Sequence, residues 1–227
     1  MSALKKENII IASILAVALM VFISICILIH LNNLPNLDII WRDFAYNIRG
    51  DKGGFLYWVF RIITEFGYIY IMAAVVILLA IYTRLDNRFF IFLAILLLSR
   101  VFNTTFKGIY DRVRPLEEMR WQLETSSSFP SGHSTNVAVI FSYCFFLFYK
   151  DNHKKWIRVS GMVFSALIIP LVMLSRNILG VHYLTDVCAG AACGIMCGCI
   201  GMLLLNLFNM KNILTTPLIR SRKKNEA

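Results

Sequence analysis

Charged residues are scarce in this sequence. Only 16% of its 227 residues are charged, whereas 58% are hydrophobic. Soluble domains have roughly a quarter charged and about half apolar residues. This composition excludes a disordered chain and a nucleic-acid-binding domain, although the formal net charge is +10. The length fits one folded unit, so residues 1–227 are expected to form a single domain of a polytopic membrane protein.

Patterns that form disulfides or bind metals are also missing. No cysteine lies in a polar loop where oxidation could pair it, and no Cys/His spacing is typical of a zinc site. This excludes a secreted disulfide scaffold, and we interpret all six cysteines as small packing residues: Cys26, Cys144, Cys188, Cys193, Cys197 and Cys199. No metal site is predicted either, because one group of loop acids has a spacing that matches no carboxylate cage: Asp111, Glu117, Glu118 and Glu124.

Long hydrophobic stretches dominate what is present. The first has no charged residue and is long enough to cross the roughly 30 Å of hydrocarbon in a bilayer. Five further stretches are free or nearly free of charge, with Arg100 interrupting one of them. The pattern predicts an all-α integral membrane protein with six transmembrane helices in a bundle: Ile9–Ile29, Phe66–Thr83, Phe89–Phe106, Ser134–Tyr149, Val159–Ser175 and Val187–Met210.

The distribution of lysine and arginine predicts the orientation in the cell membrane. The side with both termini carries thirteen of these residues against four acids, and the opposite side carries ten against nine. Because cytoplasmic loops are enriched in Lys and Arg, we expect both termini in the cytoplasm and the loops of the opposite side on the outer face. The C-terminal cluster Arg220–Lys224 is interpreted as a topology signal that also contacts anionic lipid.

The segment Asn32–Glu65 contains an amphipathic pattern. Five apolar residues recur at helical spacing on one face: Leu37, Ile40, Trp41, Phe44 and Ile48. The charged residues of the same stretch face elsewhere: Asp38, Arg42, Asp43 and Arg49. This predicts a helix lying in the outer membrane interface after the first span. It is interpreted either as a simple connector, which amphipathicity alone favours, or as a flap beside a lipid entrance.

A run of glycines in the last hydrophobic stretch predicts close helix packing. Gly190, Gly194 and Gly198 repeat every four residues. Small residues at this spacing let two helix backbones approach each other closely in a membrane.

Polar residues concentrate at the predicted outer ends of the hydrophobic stretches. Lys107–Arg114 follows the third stretch, Ser131–His133 opens the fourth, and Arg176–Asp186 joins the fifth to the sixth. In a bundle, these three segments would meet near one membrane interface. Each residue alone has an ordinary explanation, such as interfacial anchoring or helix capping. Together, two histidines, an aspartate and three cations at one membrane face are costly and normally mark function.

These residue types converge on phosphoryl transfer. Cations and the backbone amides of a helix N-terminus form a site for a dianion, most naturally phosphate. His182 held by Asp186 would be an oriented imidazole, which can activate a nucleophile or serve as one. His133 would stand opposite as an acid. The cations are Lys107, Arg114 and Arg176.

The three segments resemble the signature of the type 2 phosphatidic acid phosphatases, or lipid phosphate phosphatases. Their superfamily also includes soluble acid phosphatases and vanadium haloperoxidases. Eleven positions match in order and spacing: Lys107-x6-Arg114-Pro115, Pro130-Ser131-Gly132-His133 and Ser175-Arg176-x5-His182-x3-Asp186. A match of this length is far more specific than a single short motif. The resemblance implies one transmembrane phosphatase domain over residues 1–227.

The resemblance also implies a role for each residue. His182 would attack phosphorus and form a phosphohistidine, Asp186 would hold its ring, and His133 would protonate the leaving oxygen. The phosphoryl oxygens would be bound by Lys107, Arg114, Ser131, Gly132 and Arg176. No metal and no cofactor is expected, because cations already supply the charge that Mg²⁺ usually provides. The expected partners are the bilayer and a lipid phosphate, not nucleic acid.

Three substrates and two other functions remain open. The substrate could be phosphatidylglycerophosphate, phosphatidic acid or undecaprenyl pyrophosphate. The same residues could run a lipid-linked phosphotransferase, which passes phosphate to an acceptor other than water. A non-catalytic lipid-binding or transport protein is the other class. Six helices without a visible inverted repeat argue against most secondary transporters.

Overall fold

The computed structural model describes residues 3–32, 34–150 and 154–210. The C-terminal basic cluster therefore lies outside the described residues. Over these ranges the fold contains helices and no strand. The α-helices are α1 (Ala3–Leu31), α2 (Asn36–Ile48), α3 (Phe55–Thr64), α4 (Ile69–Thr83), α5 (Asn87–Tyr110), α6 (Gly132–Lys150), α7 (Lys155–Ile178) and α8 (Leu184–Met210). Short 3-10 turns occur at Glu65–Gly67 and Glu117–Met119.

Four to five candidate membrane spans occur in the described residues. Helices α1, α5, α7 and α8 are each long and apolar enough to cross a bilayer. Helices α3 and α4 meet the same test only as a pair, bent by 50° at the turn between them. Helix α6 is not among the candidates, because its first turn and a half is mostly polar. The all-helical membrane architecture is confirmed, and the number of spans that length and composition support is four or five.

Helices α6 and α8 form the centre of the bundle. In the 18-residue apolar stretch of α8, 61% is buried inside the protein, whereas the corresponding share is 17% in α1 and in α7. A Cβ atom added at Gly194 would lie 2.5 Å from the backbone oxygen of Thr135 on α6. The glycines therefore let the two backbones touch, which confirms the predicted close packing. This contact fixes the start of α6 beside the start of α8.

Helix α2 has two dissimilar faces. The apolar residues Leu37, Ile40 and Phe44 are 53%, 67% and 50% exposed. Asp38 and Ala45, on the opposite face, are fully buried against the rest of the protein. The sequence placed Asp38 among charged residues directed away from the apolar face, and that separation is correct. The polar face nevertheless packs inward, because Asp38 finds buried partners there.

Candidate active site

The candidate residues come from the ends of four helices. Lys107 lies in the last turn of α5, and Arg114 follows after Asp111 ends that helix in a left-handed conformation (φ 36°). Ser131 immediately precedes α6, Gly132 and His133 begin that helix, and Arg176 lies in the last turn of α7. His182 is in the short connection to α8, and Asp186 is in the first turn of that helix.

The first turns of α6 and α8 are tied together directly. The backbone N–H of Ser131 donates to the backbone oxygen of Asp186 at 3.0 Å. Ser131 is fully buried, and its hydroxyl oxygen lies 3.4 Å from the backbone nitrogen of Ser134, which is helix-capping geometry. The first backbone N–H groups of a helix have no partner within that helix. This link therefore fixes the first amides of α6 relative to those of α8. A Cβ added at Gly132 would make only an ordinary contact, at 3.7 Å from Asn103 Oδ1.

His182 is oriented by contacts at both ring nitrogens. Its Nε2 lies 3.1 Å from Nη1 of Arg114. Since a guanidinium can only donate, Nε2 must accept this hydrogen bond, which places the ring proton on Nδ1. Nδ1 lies 3.4 Å from Ser128 Oγ and 3.6 Å from Asp186 Oδ2. The Ser128 hydroxyl in turn donates to Asp186 Oδ2 at 2.5 Å. Asp186 thus orients His182 partly through Ser128.

Electrostatics keep the His182 imidazole neutral. Burial, followed by the nearby charges of Arg114, Arg176 and Lys107, holds the pKa of His182 well below its usual value. A lowered pKa means that the ring is unprotonated at pH 7, so the Nε2 lone pair is free of a proton. Burial also lowers the pKa of Arg114 to about 10, at which it still carries its positive charge near neutral pH.

An acidic side chain stands between the two arginines of the cluster. Arg176 is fully buried and donates from Nη2 to Glu124 Oε1 and from Nη1 to Thr64 Oγ1 at 2.8 Å. The other carboxylate oxygen of Glu124 lies 3.8 Å from Nη2 of Arg114. Lys107 donates instead to the backbone oxygen of Ser127. From the sequence, Glu124 is only one of the loop acids tested as metal ligands, because nothing in its spacing links it to the arginines.

Two buried nitrogen atoms in the cluster lack a hydrogen-bond partner. Nε2 of His133 and Nε of Arg176 make no hydrogen bond to any described residue. Unpaired buried polar atoms are uncommon in folded proteins and call for an explanation. His133 packs edge-on against Tyr68, with ring centroids 4.5 Å apart. A Cβ added at Gly67 would lie 2.8 Å from the His133 side chain, so the turn before α4 bounds this side of the cluster.

Arg112 and Asp38 are the functional candidates that the sequence did not reveal. Arg112 donates from Nη1 to Asp186 Oδ1 at 2.6 Å and from Nη2 to Asp38 Oδ2 at 2.7 Å. The arginine lies among the six unspecified residues between Lys107 and Arg114, and the aspartate lies on α2. An Asp on an amphipathic helix indicates a functional contact only when its buried partner is known. Within residues 3–32, 34–150 and 154–210, no three His, Cys, Asp or Glu side chains converge as metal ligands would.

The family of the chain is established by its sequence. The profile of the PAP2 superfamily matches residues 88–210, a region that includes every candidate site residue named from the sequence. The chain therefore belongs to the PAP2 superfamily, which confirms the resemblance to type 2 phosphatidic acid phosphatases.

Individual relatives agree with this assignment. Phosphatidylglycerophosphatase B of Bacillus subtilis (strain 168) is 35% identical over 103 residues, which are 43% of this chain and 48% of that protein. The match thus spans about half the length of that curated relative. The crystal structure of a transmembrane PAP2-type phosphatidylglycerolphosphate phosphatase from Bacillus subtilis has a TM-score of 0.74 at 25% identity, covering 87% of this chain and 96% of that one. Aquifex aeolicus LpxE shares the fold, with a TM-score of 0.59, 24% identity and coverages of 72% and 93%.

The position of Glu124 predicts a stability effect. Glu124→Gln should lower the free energy of unfolding by about 1–3 kcal/mol, because buried Arg176 loses its charged partner. Inorganic phosphate should restore more stability in this variant than in the parent protein, since an oxyanion replaces the missing charge. Thermal unfolding in detergent, with and without phosphate, measures both effects.

Glu118→Gln provides the matched control, because Glu118 is an exposed acid of the same loop. A variant at position 124 that is as stable as this control, or that gains no more from phosphate than the parent protein does, would contradict the assignment of Glu124.

Proposed function

We propose that this protein is a lipid phosphate phosphatase that removes a terminal phosphate from a membrane lipid through a phosphohistidine intermediate. The single observation that carries the proposal is the orientation of His182. Its unprotonated Nε2 meets Arg114 among buried cations, while Asp186 and Ser128 hold the opposite nitrogen. A nucleophile with an orienting group behind it and cations in front is the arrangement that nucleophilic phosphoryl transfer requires.

The proposed reaction has two steps. In the first, Nε2 of His182 attacks phosphorus, the phosphorus–oxygen bond to the lipid breaks, and His133, as the imidazolium, gives its proton to the leaving oxygen. In the second, the now neutral His133 takes a proton from water, the water oxygen bonds to phosphorus, the phosphorus–nitrogen bond to His182 breaks, and inorganic phosphate leaves. Arg114 would exchange its bond to Nε2 for one to a phosphoryl oxygen. The unpaired nitrogens of His133 and Arg176 support a ligand at this place.

Three cations and the start of α6 would supply the charge that binds the phosphoryl group. Lys107, Arg114 and Arg176 would contact its oxygens together with Ser131 and the backbone at Gly132. The charges of buried Arg114 and Arg176 and of half-buried Lys107 are compensated only in part by Glu124. A dianion would complete the compensation. On this basis we propose that the reaction needs no metal ion and no cofactor.

The relatives bear on the choice of lipid. Phosphatidylglycerophosphatase B and the crystallised Bacillus enzyme are named for action on phosphatidylglycerophosphate. We propose this lipid as the first substrate to test, followed by phosphatidic acid and undecaprenyl pyrophosphate. A site beside the ends of spanning helices can receive a headgroup while the acyl chains stay in the bilayer.

Activity on lipids tests the proposed function. Detergent-solubilised protein should release inorganic phosphate from at least one of these three lipids in the presence of EDTA. Orthovanadate should inhibit the reaction, because its five-coordinate form resembles the transition state. Loss of activity in EDTA that Mg²⁺ restores would contradict the metal-free mechanism, and no release from any of the three would contradict the function.

The two histidines should respond differently to substitution. His182→Ala removes the nucleophile, so turnover should be lost with every substrate. His133→Ala removes the proton donor, which contributes about 10²–10⁴-fold to a rate. It should recover part of its loss with an activated aryl phosphate, whose leaving group needs little protonation. Substantial activity of His182→Ala on either substrate, with none for His133→Ala, would invert the assignment.

We further propose six membrane crossings, with both termini in the cytoplasm and the candidate site on the outer face. Helix α6 and the bent α3–α4 pair would complete the six. The exposed apolar face of α2 supports a position of that helix in the outer interface. The excess of Lys and Arg on the side of the termini supports the orientation.

Cysteine labelling tests the orientation. A membrane-impermeant maleimide should label Glu118→Cys in intact cells and should label Lys154→Cys only after permeabilisation. Both positions are exposed, so accessibility within the protein is matched. The parent protein, with its six native cysteines, gives the background. The reverse pattern of labelling would invert the topology.

A further inference from the structure

We infer that Asp38 and Arg112 are positioning residues that hold Asp186, and through it the nucleophile His182, in the working geometry. This inference rests on the proposed phosphatase function. It adds a part of the machinery that lies on α2, outside the region matched by the family profile. Helix α2 is then neither a simple connector nor a flap. It supports the catalytic turn, which we define as residues 179–183 between α7 and α8.

Arg112 divides its guanidinium between two carboxylates. Nη1 donates to Asp186 Oδ1 at 2.6 Å, and Nη2 donates to Asp38 Oδ2 at 2.7 Å. All three side chains are at most 1% exposed. Arg112 binds the Asp186 oxygen that points away from His182, which leaves Oδ2 for Ser128 and the imidazole. The arginine therefore fixes the rotation of the carboxylate that orients the nucleophile.

Asp38 also holds the start of α8. Its Oδ1 accepts from the backbone N–H of Thr185 at 2.9 Å, and its Oδ2 accepts from the Thr185 hydroxyl at 2.6 Å. The same hydroxyl accepts from Nη1 of Arg112 at 2.8 Å. A carboxylate at a helix N-terminus is favoured by the helix dipole and by the unpaired amides there. Asp38 thus locks Arg112 and the residue next to Asp186 in one closed network.

Other residues of α2 contact the same turn. Trp41 donates from Nε1 to Asn177 Oδ1 at 3.1 Å, and Asn177 donates from Nδ2 to the backbone oxygen of His182 at 3.0 Å. At the end of α2, Arg49 donates to the backbone oxygens of Met119 and Ile178, at 2.7 and 3.5 Å. Residues 38–49 therefore contact the chain before and after His182, and Trp41 reaches the His182 backbone through Asn177. Asp38 is the fully buried charged contact among them.

The balance of charge explains why Asp38 is needed. Arg112 alone would place one full positive charge against Asp186, in a cluster that already holds Lys107, Arg114 and Arg176. Asp38 offsets the charge of Arg112, so that the three groups together present one net negative charge beside the imidazole. The ion pairs overcome the effect of burial and raise the pKa of Arg112 above its usual value. Arg112 therefore keeps its charge in a site with little access to water.

The test compares two aspartates of the same helix. Asp38→Asn should lower kcat by about 10–100-fold, the usual effect of removing a group that orients a reacting residue. KM for a soluble aryl phosphate, and competitive inhibition by inorganic phosphate, should stay within about twofold, because the groups that contact phosphate are intact. Asp43→Asn is the matched control: Asp43 is more than half exposed and pairs only with Arg42 among the described ion pairs. Its kcat should equal that of the parent protein.

Two further variants at position 112 separate positioning from folding. Arg112→Lys keeps the charge and should retain more of kcat than Arg112→Gln does. In each variant, the amount of folded protein is measured by phosphate-dependent thermal stabilisation, and kcat is expressed per folded molecule. An unchanged kcat per folded molecule in Asp38→Asn, or an equal loss in Asp43→Asn, would overturn the inference. If either result is found while the parent protein is active and its activity depends on His182, the phosphatase function still holds. An inactive parent protein would instead refute the function itself.

Discussion

The ion pair between Arg112 and Asp186 is the contact on which the arrangement of the candidate site depends. A buried charge is costly unless a partner and further hydrogen bonds surround it. Asp186 can therefore be buried at the start of α8 only if the segment after α5 brings Arg112 to it, and Arg112 in turn needs Asp38 from α2. One buried guanidinium thus joins three parts of the chain that are far apart in sequence. Because Asp186 lies beside His182, these ion pairs also determine the position of His182.

The rest of the cluster carries an excess of positive charge, because the nearby carboxylates neutralise only part of it. Arg176 and Arg114 share one carboxylate, that of Glu124, and Lys107 donates to a backbone oxygen. A protein site with excess buried cations and unpaired nitrogen atoms is prepared for an anion. The two halves are complementary, because the balanced half orients His182, the proposed nucleophile, and the cationic half would attract the phosphoryl group.

The sequence predicted the helical membrane fold, the family and the segments that meet. These features depend on composition, on hydrophobic length and on local spacing, as in the glycine repeat that packs α8 against α6. It did not predict Asp38, Ser128 or Glu124 as members of the cluster. Their contacts span from 52 to 147 residues along the chain, so no local pattern encodes them. Length and composition support fewer than the six predicted spans. Helix α6 begins with polar residues of the candidate site, and α4 passes as a span only together with α3, to which it is joined by a bend.

Trapping a phosphoenzyme would identify the side chain that attacks phosphorus. The protein is mixed with radiolabelled aryl phosphate, quenched in alkali within milliseconds, digested and analysed by mass spectrometry. We expect an acid-labile, alkali-stable phosphoryl group on His182, absent in His182→Ala and longer-lived in His133→Ala, where water is activated slowly. A phosphoryl group on any other residue, or phosphate release by a protein that never carries one, would contradict it.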